Sequence, residues 1–145
     1  MVPENIGPLS SALFKGERTG MVKILIIEDN PMVQALTRDL LSGQGFEVDT
    51  ASTGEEGRDK IKNNTPDLLV LDLSLPDDFG LDICREMKQQ HPNLLVFMMT
   101  ALGNSQDVVA GLEAGADDYL PKPYNPREFT ARVKMVLKRA NKIQG

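Results

Sequence analysis

The sequence has little of what several classes of protein require. It has a single cysteine, Cys84, which cannot form an internal disulfide and has no companions at metal-ligand spacing. It has no tryptophan, and no apolar run approaches the ~20 residues that span a bilayer. We therefore predict a cytoplasmic protein without membrane segments, in which Cys84 serves as a small apolar core residue.

Positive charge is also in deficit. The chain has 21 acidic and 16 basic residues and a formal net charge of −5, whereas nucleic-acid-binding surfaces need clustered lysine and arginine. Four basic residues near the C-terminus alternate with apolar ones, which indicates the solvated face of an amphipathic helix: Lys134, Lys138, Arg139 and Lys142. Direct nucleic-acid binding by this domain is not expected.

The first twenty residues differ from the rest. They contain two prolines and three glycines without periodicity, and they lack the basic start and apolar core of a secretory signal. We predict that residues 1–20 are an extension outside the fold, disordered or of vector origin. Residues 21–145 are long enough for one domain.

From Met21 onward, short apolar runs alternate with segments of helical period, as in a parallel sheet with crossover helices. The predicted strands are 24–27, 47–51, 68–73, 94–99 and 118–120, and the predicted helices lie near 31–43, 54–63, 80–90, 105–114 and 126–141. Asn-Pro pairs at 30–31 and 125–126 predict two helix starts, and the segments 53–56 and 125–128 resemble capping boxes.

Polar residues stand where the predicted strands end: Glu28, Asp29, Asp72, Thr100 and Lys122. Ligands of open parallel sheets bind outside the carboxyl ends of the strands, so these side chains are expected to converge. Three carboxylates at ~5 Å would repel one another by roughly 3 kcal/mol per pair at an effective dielectric of ~20. Mg²⁺ suits such an oxygen-rich site, with Asp29 and Asp72 as direct ligands and Glu28 acting through water.

A metal in this pocket would make Asp72 a carboxylate nucleophile toward an activated phosphoryl donor. Lys122 would neutralise phosphate oxygens and the Thr100 hydroxyl would donate to one of them. Each residue alone has a plainer interpretation, since acidic residues before a helix often serve as caps. Asp72 is harder to explain structurally, because a carboxylate inside an apolar strand is costly without a partner.

Four motifs resemble the receiver family of two-component signalling: ILIIEDN (24–30), LDLSLPDDFGLD (71–82), MTA (99–101) and GADDYLPKPY (115–124). The similarity runs from about Val22 to Ala140. It implies a flavodoxin-like, doubly wound α/β fold of five parallel strands in the order 2-1-3-4-5 with five helices. It also implies a cis Lys122–Pro123 bond and phosphorylation of Asp72 by a sensor histidine kinase.

The resemblance assigns further roles. Mg²⁺ would be held by Glu28, Asp29 and Asp72, with the backbone carbonyl of Ser74. Thr100 and Lys122 would sense the phosphoryl group, and Tyr119 would be a switching aromatic that rotates inward when Thr100 moves. Ser74 and Leu102 occupy positions where the family tunes water access.

The run 111–134 most resembles receivers joined to winged-helix DNA-binding domains. The chain ends at Gly145 without room for such a domain, so it is either a stand-alone receiver or a piece of a longer protein. The resemblance implies a homodimer through the fourth helix, fifth strand and fifth helix, paired by charges at Asp117, Asp118, Glu128 and Arg132. Ala110 replaces a basic residue there, which predicts a weaker or differently registered contact. Phe79 replaces the small or acidic residue more usual before Gly80 and is interpreted as partly buried.

The sequence leaves three alternatives to a phosphate-accepting receiver. A phosphatase with an aspartate nucleophile needs a second acid two residues later, where the chain has Ser74. A flavin-binding protein of the same fold needs a hydroxyl- and glycine-rich loop after the first strand, where the chain has EDNPM. A receiver-like interaction module that never takes phosphate remains the third alternative.

Overall fold

A computed structural model describes residues 21–100 and 105–144. The predicted extension at 1–20, and Leu102, lie outside the described residues. Five strands alternate with five helices in the described part of the chain: β1 (Lys23–Ile27), α1 (Pro31–Gly43), β2 (Glu47–Ala51), α2 (Gly54–Asn63), β3 (Leu68–Asp72), α3 (Gly80–Gln90), β4 (Leu95–Thr100), α4 (Ser105–Glu113), β5 (Asp118–Pro121) and α5 (Pro126–Arg139).

The strands form one parallel sheet in the order β2-β1-β3-β4-β5. The predicted doubly wound α/β fold is therefore confirmed. The strand order reverses between β1 and β3, where Ile27 pairs with Leu71. This switch point is where open parallel sheets leave a crevice for ligands, and Glu28 and Asp72 lie at its two sides.

Each face of the sheet is covered by helices. One buried cluster joins the sheet to α2 and α3, through side chains such as Ile61, Ile83 and Met87. The other joins it to α1 and α5, through Leu41 and Phe129 among others. Every residue of β3 and β4 is buried, as two-sided covering requires. Cys84 is fully buried in the first cluster, as predicted.

The predicted helix starts are confirmed. The Asn30 side chain accepts from the amides of Met32 and Val33, and Asn125 makes the equivalent pair of bonds at the start of α5. Thr53 caps α2 by accepting from the amide of Glu56. The Glu56 carboxylate, however, accepts from Ser52, one residue before the position that a capping box requires.

The predicted bounds of β2, α1, α2 and α3 match the observed ones, and those of the other six elements differ by one or two residues. Most notably, β3 ends at Asp72 rather than at Leu73, because the chain turns there and the Leu73 carbonyl accepts from Gly80 instead of continuing the strand. Gly45 and Gly115 have φ values of +93° and +107°, where glycine is favoured after a helix. Among the described residues, no helix is both long and apolar enough to cross a membrane.

Candidate functional site

Glu28 follows the last residue of β1 and is almost fully buried. Only 1% of the residue is exposed, and its amide donates to the Ala51 carbonyl at the end of β2. Its Oε2 accepts from the Asn30 amide at 3.0 Å. The neighbouring Asp29 is exposed. The sequence thus places one acid inside the crevice and the next at its mouth.

Asp72 is the last residue of β3 and is also buried, with 5% exposed. Its Oδ1 accepts from the Ser74 amide at 3.3 Å. One carboxylate oxygen from each of Glu28, Asp29 and Asp72 lies within 4.8 Å of the other two. The convergence that strand ends predicted is therefore confirmed for all three acids.

Lys122 reaches into the same crevice from the segment after β5. Its Nζ lies 2.6 Å from Glu28 Oε1 and 3.5 Å from Asp72 Oδ2. Its amide donates to the Thr100 carbonyl at 2.6 Å. The ends of β1, β3, β4 and β5 are therefore linked around one group of charges.

The electrostatics of the crevice favour a cation. Burial and the nearby Glu28 carboxylate raise the pKa of Asp72 from its ordinary 3.8 to about 6, although Lys122 opposes the shift. Burial lowers the pKa of Lys122, but its contacts with Glu28 and Asp72 outweigh that effect and leave it raised. One ammonium does not fully offset the repulsion among the acids, since Asp72 still resists ionisation.

The residues present fit a hard divalent cation. Glu28 Oε1 is buried and receives no directed hydrogen bond from the described residues, its contact with Lys122 being an ion pair. Two further carboxylates lie within reach. An all-oxygen donor set of three carboxylates suits Mg²⁺ and its bound waters. The metal requirement, and its identity, stay predictions.

A comparison with known proteins decides the family. The family model described as the response regulator receiver domain matches residues 24–134. The chain belongs to this family. The match includes every predicted site residue, from Glu28 to Lys122.

Relatives and solved structures agree. The receiver is 43% identical over 118 residues to PhoP of Bacillus subtilis, named as an alkaline phosphatase synthesis transcriptional regulatory protein, covering 81% of this chain and 49% of PhoP. A CheY-like receiver from Methanospirillum hungatei superposes with a TM-score of 0.81 at 32% identity, covering 85% of this chain and 98% of that one.

The receiver domain of DrrB, described as BeF3-activated, gives a TM-score of 0.77 at 38% identity, with 82% and 99% of the two chains covered. A longer DrrB structure from Thermotoga maritima is described as an OmpR/PhoB homologue, in agreement with the subfamily resemblance. The chain spans about half the length of the curated relatives it matches.

The structure also locates Thr100 and Tyr119, the predicted switch residues. Thr100 ends β4 and is fully buried. Tyr119 is only 8% exposed and is part of the core. The Tyr119 ring packs over Gly111, where an added Cβ would approach its Cδ2 to 3.3 Å. The resemblance implies that Tyr119 rotates inward on activation. In this structure its ring is already buried.

One expectation about the surface is wrong, and the predicted dimer contact stays a prediction. Phe79 is 67% exposed rather than partly buried, because it stands at the start of α3 beyond the edge of the core. The charges predicted for a dimer contact are paired within the chain. Arg132 bonds to Glu128 at 3.0 Å and contacts Asp118 at 3.3 Å, while Asp117 contacts a lysine of α3 at 3.3 Å.

Sequence reasoning missed residues that support the site. The Gln34 amide group on α1 donates to the Glu28 carbonyl at 2.8 Å and to the Ala51 carbonyl at 3.2 Å, tying the ends of β1 and β2 together. The Tyr124 hydroxyl lies 2.8 Å from the Thr37 hydroxyl, so α1 also holds the segment that carries Lys122. The Asn-Pro start of α1 marks position 34 as one turn inside the helix, but not which carbonyls it meets.

Proposed function

We propose that this receiver is phosphorylated on Asp72 by a sensor histidine kinase in a Mg²⁺-dependent reaction. The observation that carries the proposal is the convergence of three carboxylates and one ammonium at the carboxyl edge of the sheet. Asp29 and Asp72 would bind the metal with the Ser74 backbone carbonyl, and Glu28 would bind it through water. The family match and the BeF3-activated relative support this assignment.

When bound, Mg²⁺ would supply positive charge that stabilises the buried Asp72 carboxylate and that binds phosphoryl oxygens. The Asp72 carboxylate oxygen attacks phosphorus, the bond from phosphorus to the donor breaks, and an acyl phosphate forms on Asp72. The chain's own part is mainly positioning and charge neutralisation. Lys122, whose Nζ is 3.5 Å from Asp72 Oδ2, would bind a phosphoryl oxygen, and the Thr100 hydroxyl would donate to another.

Phosphorylation adds roughly −1.5 to −2 charges beside the ends of β4 and β5. We expect Thr100 and Lys122 to shift toward that charge and Tyr119 to repack, which alters the surface of α4, β5 and α5. Val109 and Leu112 of α4 are already half exposed on that surface. An output partner, an output domain or a second receiver would bind there, and a role in transcription, by analogy with PhoP, belongs to the same proposal, as does a cytoplasmic location.

Mass spectrometry after incubation with Mg²⁺ and acetyl phosphate tests the proposal. A single phosphate adduct is expected, and it should be absent with EDTA and in Asp72→Asn. The exposed Asp39→Asn variant is the matched control and should still be modified. No adduct on the folded wild type would instead favour an interaction module. Sustained hydrolysis of phosphate esters would favour a phosphatase, and a yellow purified protein would indicate a flavin.

The proposed switch through Thr100 and Tyr119 can be tested separately by NMR. Thr100→Ala should still accept phosphate but lose most of the change in the Tyr119 NMR shifts that the wild type shows on activation. Tyr119 shifts that do not respond to phosphorylation in the wild type would contradict the proposed path from Asp72 to α4 and β5.

A further inference from the structure

The loop between β3 and α3, residues 73–79, carries Ser74 and is closed by the Gly80 amide, which donates to the Leu73 carbonyl at 2.7 Å. The Leu75 amide donates to the Asp78 carbonyl at 3.2 Å, and Ser74 forms an isolated bridge with Phe79. Phe79 occupies the N-cap of α3 but makes no side-chain cap bond. The start of α3 therefore does not fix this loop in the usual way.

Asp77 instead fixes the loop to a different helix. Its carboxylate accepts from the amides of Gly54 at 2.8 Å and Glu55 at 3.0 Å, the first two residues of α2. These amides and the positive end of the helix favour a negative charge there. Those backbone bonds lower the pKa of Asp77. A side chain 22 residues along the chain thus serves as a second cap of α2.

The next residue makes a second link to the same helix. Arg58 of α2 donates from Nη1 to Asp78 Oδ2 at 2.5 Å and from Nε to Glu86 of α3 at 3.0 Å. Contact is also close at the helix start, where a Cβ added to Gly54 would lie 3.1 Å from the Asp78 Cβ. The loop is therefore held against α2 by two consecutive carboxylates and has little freedom to move away.

The geometry points to Asp77 as a positioning residue for the metal: by holding the loop on the first turn of α2, it sets the place of Ser74, whose carbonyl is a proposed metal ligand. This inference rests on the proposed Mg²⁺ site. Asp77 is not among the three clustered acids, so it acts through the loop. The Ser74 amide, which donates to Asp72 Oδ1 at 3.3 Å, connects the loop to that carboxylate.

The test is a titration with MgCl₂ alone, followed by NMR shifts of the Ser74 amide, on the wild type, Asp77→Ala, Asp77→Asn and Asp59→Ala. Supporting partners of a metal site are worth roughly 10-fold or more in affinity, so Asp77→Ala should weaken Mg²⁺ binding about 10-fold. Asp77→Asn keeps one of the two oxygens that accept from α2 and should lose less affinity than Asp77→Ala. Asp59→Ala removes an exposed acid of the same helix and should bind as the wild type does.

The outcomes separate positioning from charge. Equal losses in Asp77→Ala and Asp77→Asn would show that only the negative charge mattered and would overturn the inference, as would wild-type affinity in Asp77→Ala. Hydrogen exchange of the Gly54 and Glu55 amides should accelerate in Asp77→Ala, which checks that the cap is lost. If that variant does not fold, Arg58→Gln breaks the Asp78 link and should also weaken Mg²⁺ binding, while unchanged affinity would count against the inference.

The same titration separates this inference from the proposed function. Mg²⁺ binding that is absent in the wild type, or that survives in Asp72→Asn, would overturn both. Binding that requires Asp72 but is indifferent to Asp77 would overturn the positioning role alone.

Discussion

Replacing Asp72, the proposed phosphate acceptor, should stabilise the metal-free protein. Asp72→Asn removes a buried charge that the crevice disfavours, and the amide oxygen at position 72 still accepts from the Ser74 amide. The pKa of Asp72 rises from 3.8 to about 6, so at pH 7.5 the ionised carboxylate costs the folded state about 3 kcal/mol, at 1.36 kcal/mol per unit of pKa. We expect a gain in unfolding free energy of about 1 kcal/mol or more, with about 3 kcal/mol as the ceiling.

Proton binding at Asp72 decides how the free energy of unfolding changes with pH. Between about pH 4 and 6 the folded protein holds a proton on Asp72 that the unfolded chain has released, so this group makes the wild type more stable as pH falls. The advantage of Asp72→Asn should therefore shrink to about half at pH 5 by the same relation. Mg²⁺ should reverse the order at pH 7.5, because it stabilises only the form that binds it.

Urea unfolding followed by circular dichroism in EDTA measures these differences, which suits a chain without tryptophan. Asp39→Asn, with a side chain 72% exposed, is the control and should change stability by no more than about 0.5 kcal/mol. The electrostatic reasoning would be refuted if Asp72→Asn were less stable than the wild type in EDTA at pH 7.5. A gain that is equally large at pH 5 would refute it too.

Three further predictions rest on packing and pairing. Lys122→Met should destabilise the metal-free protein by about 3 kcal/mol, because Glu28 would be left buried without its cation; Mg²⁺ should restore part of the loss, and a neutral effect in urea unfolding would contradict the pairing. Gly57→Ala should cost about 1–2 kcal/mol, since its Cβ would lie 2.2 Å from Ile27 Cδ1, and unchanged stability would show that this contact relaxes freely. Cys84 should react with a thiol reagent only on unfolding, because it is buried and desolvation raises its pKa to about 11; rapid labelling of the native protein would contradict this.

The fold could be predicted because its signals are local. Apolar runs, Asn-Pro pairs and the order of elements along the chain are each visible within a few residues, and the strand ends then bring Glu28, Asp29 and Asp72 together by topology alone. The contacts that support the site are different. Gln34 and Asp77 act on residues 17 and 23 positions away, and such partners depend on how helices lie on the sheet.

The differences have the same origin. Glu56 bonds to Ser52 rather than to Thr53, a shift of one residue that no sequence pattern specifies. Arg132 contacts Glu128 one turn away on α5 and also Asp118 of β5. Spacing along the sequence does not predict the second pair, because it joins two different elements. Phe79 lies outside the core although it is hydrophobic. Its position follows from its place at the end of the loop that joins β3 to α3.

Because Cys84 is buried, the native protein offers no reactive thiol of its own that would compete in site-specific labelling. Since the chain has one cysteine and it lies fully inside the core, a cysteine introduced at an exposed position would be the single thiol open to a fluorophore or spin probe in the native state. Asn93 is exposed and precedes β4 at the end of the sheet opposite Asp72. A probe there, paired with one on α4, would report movement of that helix without contacting the proposed phosphorylation site.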